Sequence, residues 1–166
     1  MRVFSLAAIA ASAVLLCQCS PKADTATSSA AAPATVTAPS FAYDFKVDFT
    51  PAALAAIKAK KQKITVSALY YGYVTPASQA LADPKDGTLH LNTDVLQVEA
   101  VNQTIHMTGA GVNAPHFKDI TAQKPLVLLN VYAGNSAATS AIHCTDFQDY
   151  VANAQQSPLI LHCDAA

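Results

Sequence analysis

Arginine is almost missing from this chain. Of its 166 residues only Arg2 is an arginine and only Glu99 a glutamate; every other basic residue is lysine. The guanidinium fork is the usual bidentate reader of phosphate and carboxylate, so no dedicated phosphate or nucleotide site is expected. A surplus of positive charge is missing as well. Ten Lys+Arg stand against 11 Asp+Glu, and without a basic surface no nucleic-acid partner is predicted. Long apolar runs are missing too. The stretch from Val3 to Leu16 is shorter than the roughly 20 residues a membrane-spanning helix needs, and no later stretch is long enough either. Low charge and 52% apolar residues suit a small, well-buried domain.

Catalytic and cofactor patterns are equally sparse. Gly109-Ala110-Gly111 lacks the third glycine and the strand–helix setting of a dinucleotide loop. Ser67, Ser136 and Ser140 sit in no nucleophile elbow. His90, His106 and His116 have no evident acid or nucleophile partner in the sequence. No cofactor is predicted, and the chain does not read as an enzyme.

What is present begins at the N-terminus. Met1–Ser20 offers one positive residue, a short apolar run and small residues at its end, the layout of an export signal. Leu16-Cys17-Gln18-Cys19-Ser20-Pro21-Lys22 resembles the end of a bacterial lipoprotein signal, with Leu16 three residues before the acylated cysteine position and Cys19 at that position. Gln18 departs from the Gly, Ala or Ser usual directly before that cysteine. The resemblance covers the leader and tether only. It implies lipidation at Cys19, a membrane partner through that lipid and a place in the cell envelope facing the periplasm. Ordinary cleavage, with Cys17 and Cys19 as the small residues at −3 and −1, is the alternative and would leave the protein free in the periplasm. The sequence divides into a signal over 1–19, an Ala/Thr/Ser/Pro tether over 20–40 that cannot bury enough surface to order itself, and one globular domain over 41–166.

Either processing route leaves two thiols, Cys144 and Cys163, in an oxidising compartment, which predicts a disulfide between them. Phe41–Phe49 alternates apolar and polar residues as a half-buried strand does. Thr50-Pro51 then opens a helix, with Thr as its N-cap and Pro at its first position. Strands are expected over Ile64–Val74, Thr88–Leu91, Val95–Ala100, Thr104–Thr108, Ala141–Cys144 and Leu159–Cys163. Another, at Leu126–Ala133, reads as a central strand covered on both faces. Phe147, Tyr150, Val151 and Ala154 fall at helical spacing within Asp146–Gln155. About seven strands and two short helices, without repeated βαβ alternation, predict a two-layer antiparallel β-sandwich of Ig-like or transthyretin-like character. The alternative is an α+β domain with both helices on one face of a single sheet.

Three places carry a possible function. Tyr71 and Tyr73 share one strand face and form a possible contact surface for an envelope protein or a glycan. His143 and His162 each precede a bridging cysteine, and two neighbouring imidazoles are candidate metal ligands. The loops Ala77–Gly87 and Gly109–Gln123 are candidates for plugging an enzyme. The expected role is a non-catalytic binding or structural one in the envelope. Metal handling and inhibition of an envelope enzyme are the alternatives.

Overall fold

The alternating segment that opens the folded region becomes strand β1 (Tyr43–Phe49). Tyr43, Phe45, Val47 and Phe49 are buried, while Asp44 and Lys46 face solvent. The computed structural model describes residues 40–112, 114–156 and 158–166, all within one compact unit, Ala38–Ala166. The signal region, Cys17, Cys19 and the tether up to residue 39 lie outside the described residues.

Helix α1 (Pro51–Lys60) follows directly. The Thr50 hydroxyl accepts a hydrogen bond from the Ala53 N–H at 3.2 Å, and Pro51 loses nothing by lacking an N–H in the first turn. Lys61 ends the helix in the left-handed conformation, and Lys58 and Lys60 place positive charge on its C-terminal turn. Ala53 and Ile57 point into the core. Replacing Thr50 by Ala is expected to cost about 1 kcal/mol. Urea denaturation would show this as a lower midpoint at unchanged slope, largely restored in Thr50→Ser.

The remaining strands are β2 (Ile64–Tyr73), β3 (Thr88–Val98), β4 (Gln103–Met107), β5 (Leu126–Ala133), β6 (Ile142–Cys144), β7 (Phe147–Tyr150) and β8 (Leu159–Ala165). They form two four-stranded sheets: sheet A in the order β4-β1-β8-β6 and sheet B in the order β3-β2-β5-β7. Phe45, Ile105 and Leu161 of sheet A meet Val66, Val127 and Leu129 of sheet B in one core. The fold is therefore a mainly β sandwich, not the single sheet of the α+β alternative. Sheet B is antiparallel throughout. In sheet A, β1 pairs antiparallel with β4 but parallel with β8. That parallel pair needs a long connection, and nearly the whole domain provides it.

Several local expectations change. Residues 146–155 are not one helix. Phe147–Tyr150 is an edge strand on β5, and only Val151–Ala154 turns helically. The spacing of Phe147, Val151 and Ala154 fits a helix as well as it fits a strand followed by one turn. Hydrogen bonding to the edge of β5 decides for the strand. Thr88–Val98 is one strand, with a bulge opposite Tyr70 and Tyr71, rather than two. The bend at Val101-Asn102 carries the chain from sheet B to sheet A, and the Asn102 side chain accepts from the Phe49 N–H at 2.8 Å. Strand β5 is interior to its sheet as expected, but its outer face is only partly covered. Asn130 on that face is half-exposed rather than sealed.

Gly109-Ala110-Gly111 has a packing task. Gly109 has φ +68, and a Cβ there would run into the Phe41 carbonyl. A Cβ on Gly111 would lie 2.6 Å from the Tyr70 ring.

Candidate functional site

Strand pleating sends alternate residues to opposite faces, so the pairing register defines what each sheet presents to solvent. The outer face of sheet A is charged. Asp44, Lys46 and Asp48 of β1 run beside His106 of β4 and His162 of β8. Lys46 pairs with Asp48 at 2.9 Å, and Asp44 with His106 at 2.7 Å.

The outer face of sheet B is different in kind. Its rows across the strands read Gln97–Thr65–Tyr132, then Val95–Ser67–Asn130, then Thr93–Leu69–Leu128–Gln148. The next row is His90–Tyr71–Leu126–Tyr150, and Thr88 beside Tyr73 ends the face. None of these positions holds Lys, Arg, Asp or Glu. An ordinary solvated sheet face alternates with charge, as sheet A does. This one carries hydroxyls, amides, aromatic rings and the aliphatic side chains of Leu69, Val95, Leu126 and Leu128.

At the Tyr73 end the face sinks into a cleft of about 270 Å³ lined by Leu69, Tyr71, Tyr73, Leu128, Gln148 and the Asp86-Thr88-His90 rim. The predicted pair Tyr71 and Tyr73 does share this face, but unequally. Tyr73 is 55% exposed and presents its ring, whereas Tyr71 is 7% exposed. The Tyr71 hydroxyl accepts from the Gln148 amide at 2.7 Å, so its own hydrogen is free to donate. The rim is a rigid turn. Asp86 Oδ1 accepts from the Thr88 N–H at 2.9 Å and the Thr88 hydroxyl at 2.8 Å, while Oδ2 meets His90 Nε2 at 3.2 Å. The Thr88 N–H, then the Thr88 hydroxyl and His90, hold the Asp86 carboxyl below the usual carboxylate range. Asp86 is thus an ionised acceptor at the lip of an uncharged face.

Sequence reasoning missed Asp86, His90 and Gln148. Asp86-Gly87-Thr88 carried a usable signal, since an Asp two residues before a backbone N–H is the pattern of an Asx-turn. Gln148 had none, because its neighbourhood depends on β7 being a strand. All three histidines read as lacking an acid have one: besides His90, His106 meets Asp44, and His116 meets Asp119 at 3.3 Å. The three pairs lie on different elements and all reach solvent.

Cys144 and Cys163 form the disulfide, facing each other directly across β6 and β8. His143 and His162 both point outward. Their register makes them a diagonal pair, with Asp164 directly opposite His143. Diagonal side chains on paired strands sit about 7–8 Å apart. Among the described residues no group of three His, Cys, Asp or Glu side chains gathers to hold a metal ion. The two loops considered as plugs lie down on the domain. In the first, Ser78 is buried and bonds Thr75; in the second, Ile120 is itself buried, 1% exposed.

A larger hollow of about 440 Å³, bounded by Phe41, Pro125, Tyr150 and Gln155, borders Ser40, where the described residues begin. The Tyr73 cleft, by contrast, opens on the outer face of sheet B. Compared with known proteins, the chain matches no family model, and neither a curated protein nor a solved structure matches it significantly.

Proposed function

We propose that this chain is an exported, lipid-anchored protein of a bacterial envelope whose globular domain is a non-catalytic binding module. Its contact surface is the outer face of sheet B at the Tyr71/Tyr73 end. The observation that carries this reading is the contrast between the two outer faces: sheet A is dressed in Asp, Lys and His, whereas the rows of sheet B hold Tyr, Thr, Ser, Asn and Gln among Leu, Val and His90, with no Lys, Arg, Asp or Glu. A stable domain has no need of such a face, because exposed sheet surface is satisfied by charged residues at least as well. Binding surfaces, by contrast, favour tyrosine, whose large flat side chain loses little freedom on contact.

The leader supports the location. Leu16 through Cys19 supplies the acylation position, and the Pro-containing tether after it is composed to hold a domain off a membrane. In its native host the mature protein is expected in the membrane fraction, with an intact mass equal to the chain from Cys19 plus a diacylglyceryl and an acyl group. Cys19→Ala should move it out of that fraction. A soluble product of unmodified mass would refute the anchor, and a full-length cytosolic product would refute export.

A further inference from the structure

We infer that the Tyr73 cleft and the sheet face leading from it bind a neutral oligosaccharide, with the Tyr73 ring as stacking platform and Asp86, Gln148 and the Tyr71 hydroxyl as hydrogen-bonding partners. This rests on the binding-module reading and names the ligand class of the same face.

Charge decides first. With no Lys or Arg lining the cleft, only His90 could offset a phosphate, sulfate or uronate, and it is already paired with the ionised Asp86, which repels each of them. With Asp86 as the only acid, little attracts a polycation. Protein interfaces commonly draw on complementary charge for register and on arginine for anchoring, and this face offers neither. What remains is a ligand rich in hydroxyls and poor in charge.

The hydrogen-bonding inventory fits the same ligand. A sugar hydroxyl both donates and accepts. Asp86 accepts, with lone pairs left on Oδ2 beside His90. Gln148 spends one N–H on Tyr71 and keeps its carbonyl and a second N–H. Tyr71 keeps its O–H hydrogen. These groups are braced by each other and by the Asp86–Thr88 turn, so they lose little freedom when a ligand arrives. Stacking supplies the third element. The apolar C–H face of a pyranose lies flat on an aromatic ring, and Tyr73 presents one, with Leu69 and Leu128 flooring the cleft beside it. The volume is near the low end of small-molecule sites, which suits one or two sugar rings. Beyond the cleft, Ser67, Asn130 and Thr93, with the exposed Val95 among them, continue the strip along the sheet until Gln97 borders Lys61 and Lys63, giving a longer chain further hydroxyl and amide contacts.

The test uses the mature chain in mild detergent and three neutral hexasaccharide probes, built of glucose, mannose or N-acetylglucosamine units, with hexagalacturonate as the anionic control. The chain has no tryptophan, so tyrosine emission reports directly, and calorimetry gives the stoichiometry. At least one neutral probe is expected to bind at one site with Kd between about 1 μM and 1 mM. That affinity should hardly change between low and high salt. Tyr73→Ala should weaken binding at least tenfold, Tyr73→Phe should largely preserve it, and Asp86→Asn should weaken it by a smaller factor. Tyr73 is exposed and Asp86 sits on the rim, so both variants should fold, which melting curves would verify. Failure of all three neutral probes to bind at 10 mM would overturn the inference, as would equal binding by Tyr73→Ala or preference for the galacturonate. Capture of an envelope protein that depends on Tyr73, with no saccharide binding, would overturn the glycan while keeping the binding face. A protein found unanchored in its host would leave the saccharide result standing, so the two readings can fail separately.

Discussion

Reducing the Cys144–Cys163 bridge is expected to lower stability by about 3 kcal/mol and the melting temperature by roughly 10 °C or more. The bridge joins residues 19 apart in sequence, and closing a loop of that size removes chain freedom mainly from the unfolded state. The native fold depends on it for a local reason as well. Strand β6 is only three residues long, lies at the edge of sheet A and has β8 as its one neighbour in the sheet. Its Ile142 is buried in the core. Without the covalent link, this short strand keeps its register through the packing of Ile142, a few backbone hydrogen bonds and the side-chain bonds of Gln62 and Thr145 at its ends. Circular-dichroism melts with and without reductant would measure the effect. A shift below about 2 °C would show that packing of Ile142 and Cys163 suffices.

The second large effect is alkaline. Tyr43 of sheet A and Tyr70 of sheet B meet across the core with their hydroxyls 3.5 Å apart, and both side chains are buried. Burial penalises a phenolate, so both phenols are pushed up, Tyr70 to about 12. In the unfolded chain each loses its proton near pH 10. Above that pH the native state holds protons that the unfolded state has released, so stability is fully present below about pH 10 and falls as pH rises. Each withheld proton contributes about 1.4 kcal/mol per pH unit, so the pair together approaches twice that. Two units of pH would then remove a large share of the 5–15 kcal/mol typical of a domain. Urea midpoints between about pH 9 and pH 11.5 should fall steeply in the natural protein and less steeply in Tyr43→Phe. Equal slopes would show that these phenols are not withheld from solvent. The Phe variant gives up only one hydroxyl contact, worth about 1 kcal/mol, so a comparison of slopes stays valid.

How much of this was legible in the sequence depends on the range of each interaction. The alternation of Phe41–Phe49, the Thr50-Pro51 helix start and the Tyr71/Tyr73 face are short-range facts, since φ/ψ preference and pleating act within a few residues. The disulfide was legible by elimination, because the expected processing of the leader leaves only two thiols. The site was only half legible. Tyr71 and Tyr73 name one wall of the cleft. Asp86, His90 and Gln148 reach it through the register of β3 and β7 with their neighbours, which periodicity within one strand cannot reveal. Asp44 and His106 are 62 residues apart, and nothing local links them. The spacing of Phe147, Tyr150, Val151 and Ala154 fits a helix, and only pairing with β5 makes Phe147–Tyr150 a strand.

The parallel pairing of β1 with β8 has a consequence for the order in which this domain can be made. Strand β1 lies in the middle of sheet A, yet one of its two neighbours is the last strand of the fold. Until Leu159–Ala165 have been synthesised, β1 has a partner on one side only, β6 has none in the sheet, and Cys144 lacks its native partner Cys163. Contacts so distant along the chain must pay their closure entropy late, which slows folding. Sheet A of a nascent chain therefore stays incomplete until Leu159–Ala165 exist. An open chain is what a narrow export channel can thread, so under the proposed export the strand pairing that closes the sandwich would also delay its closing until the chain had crossed.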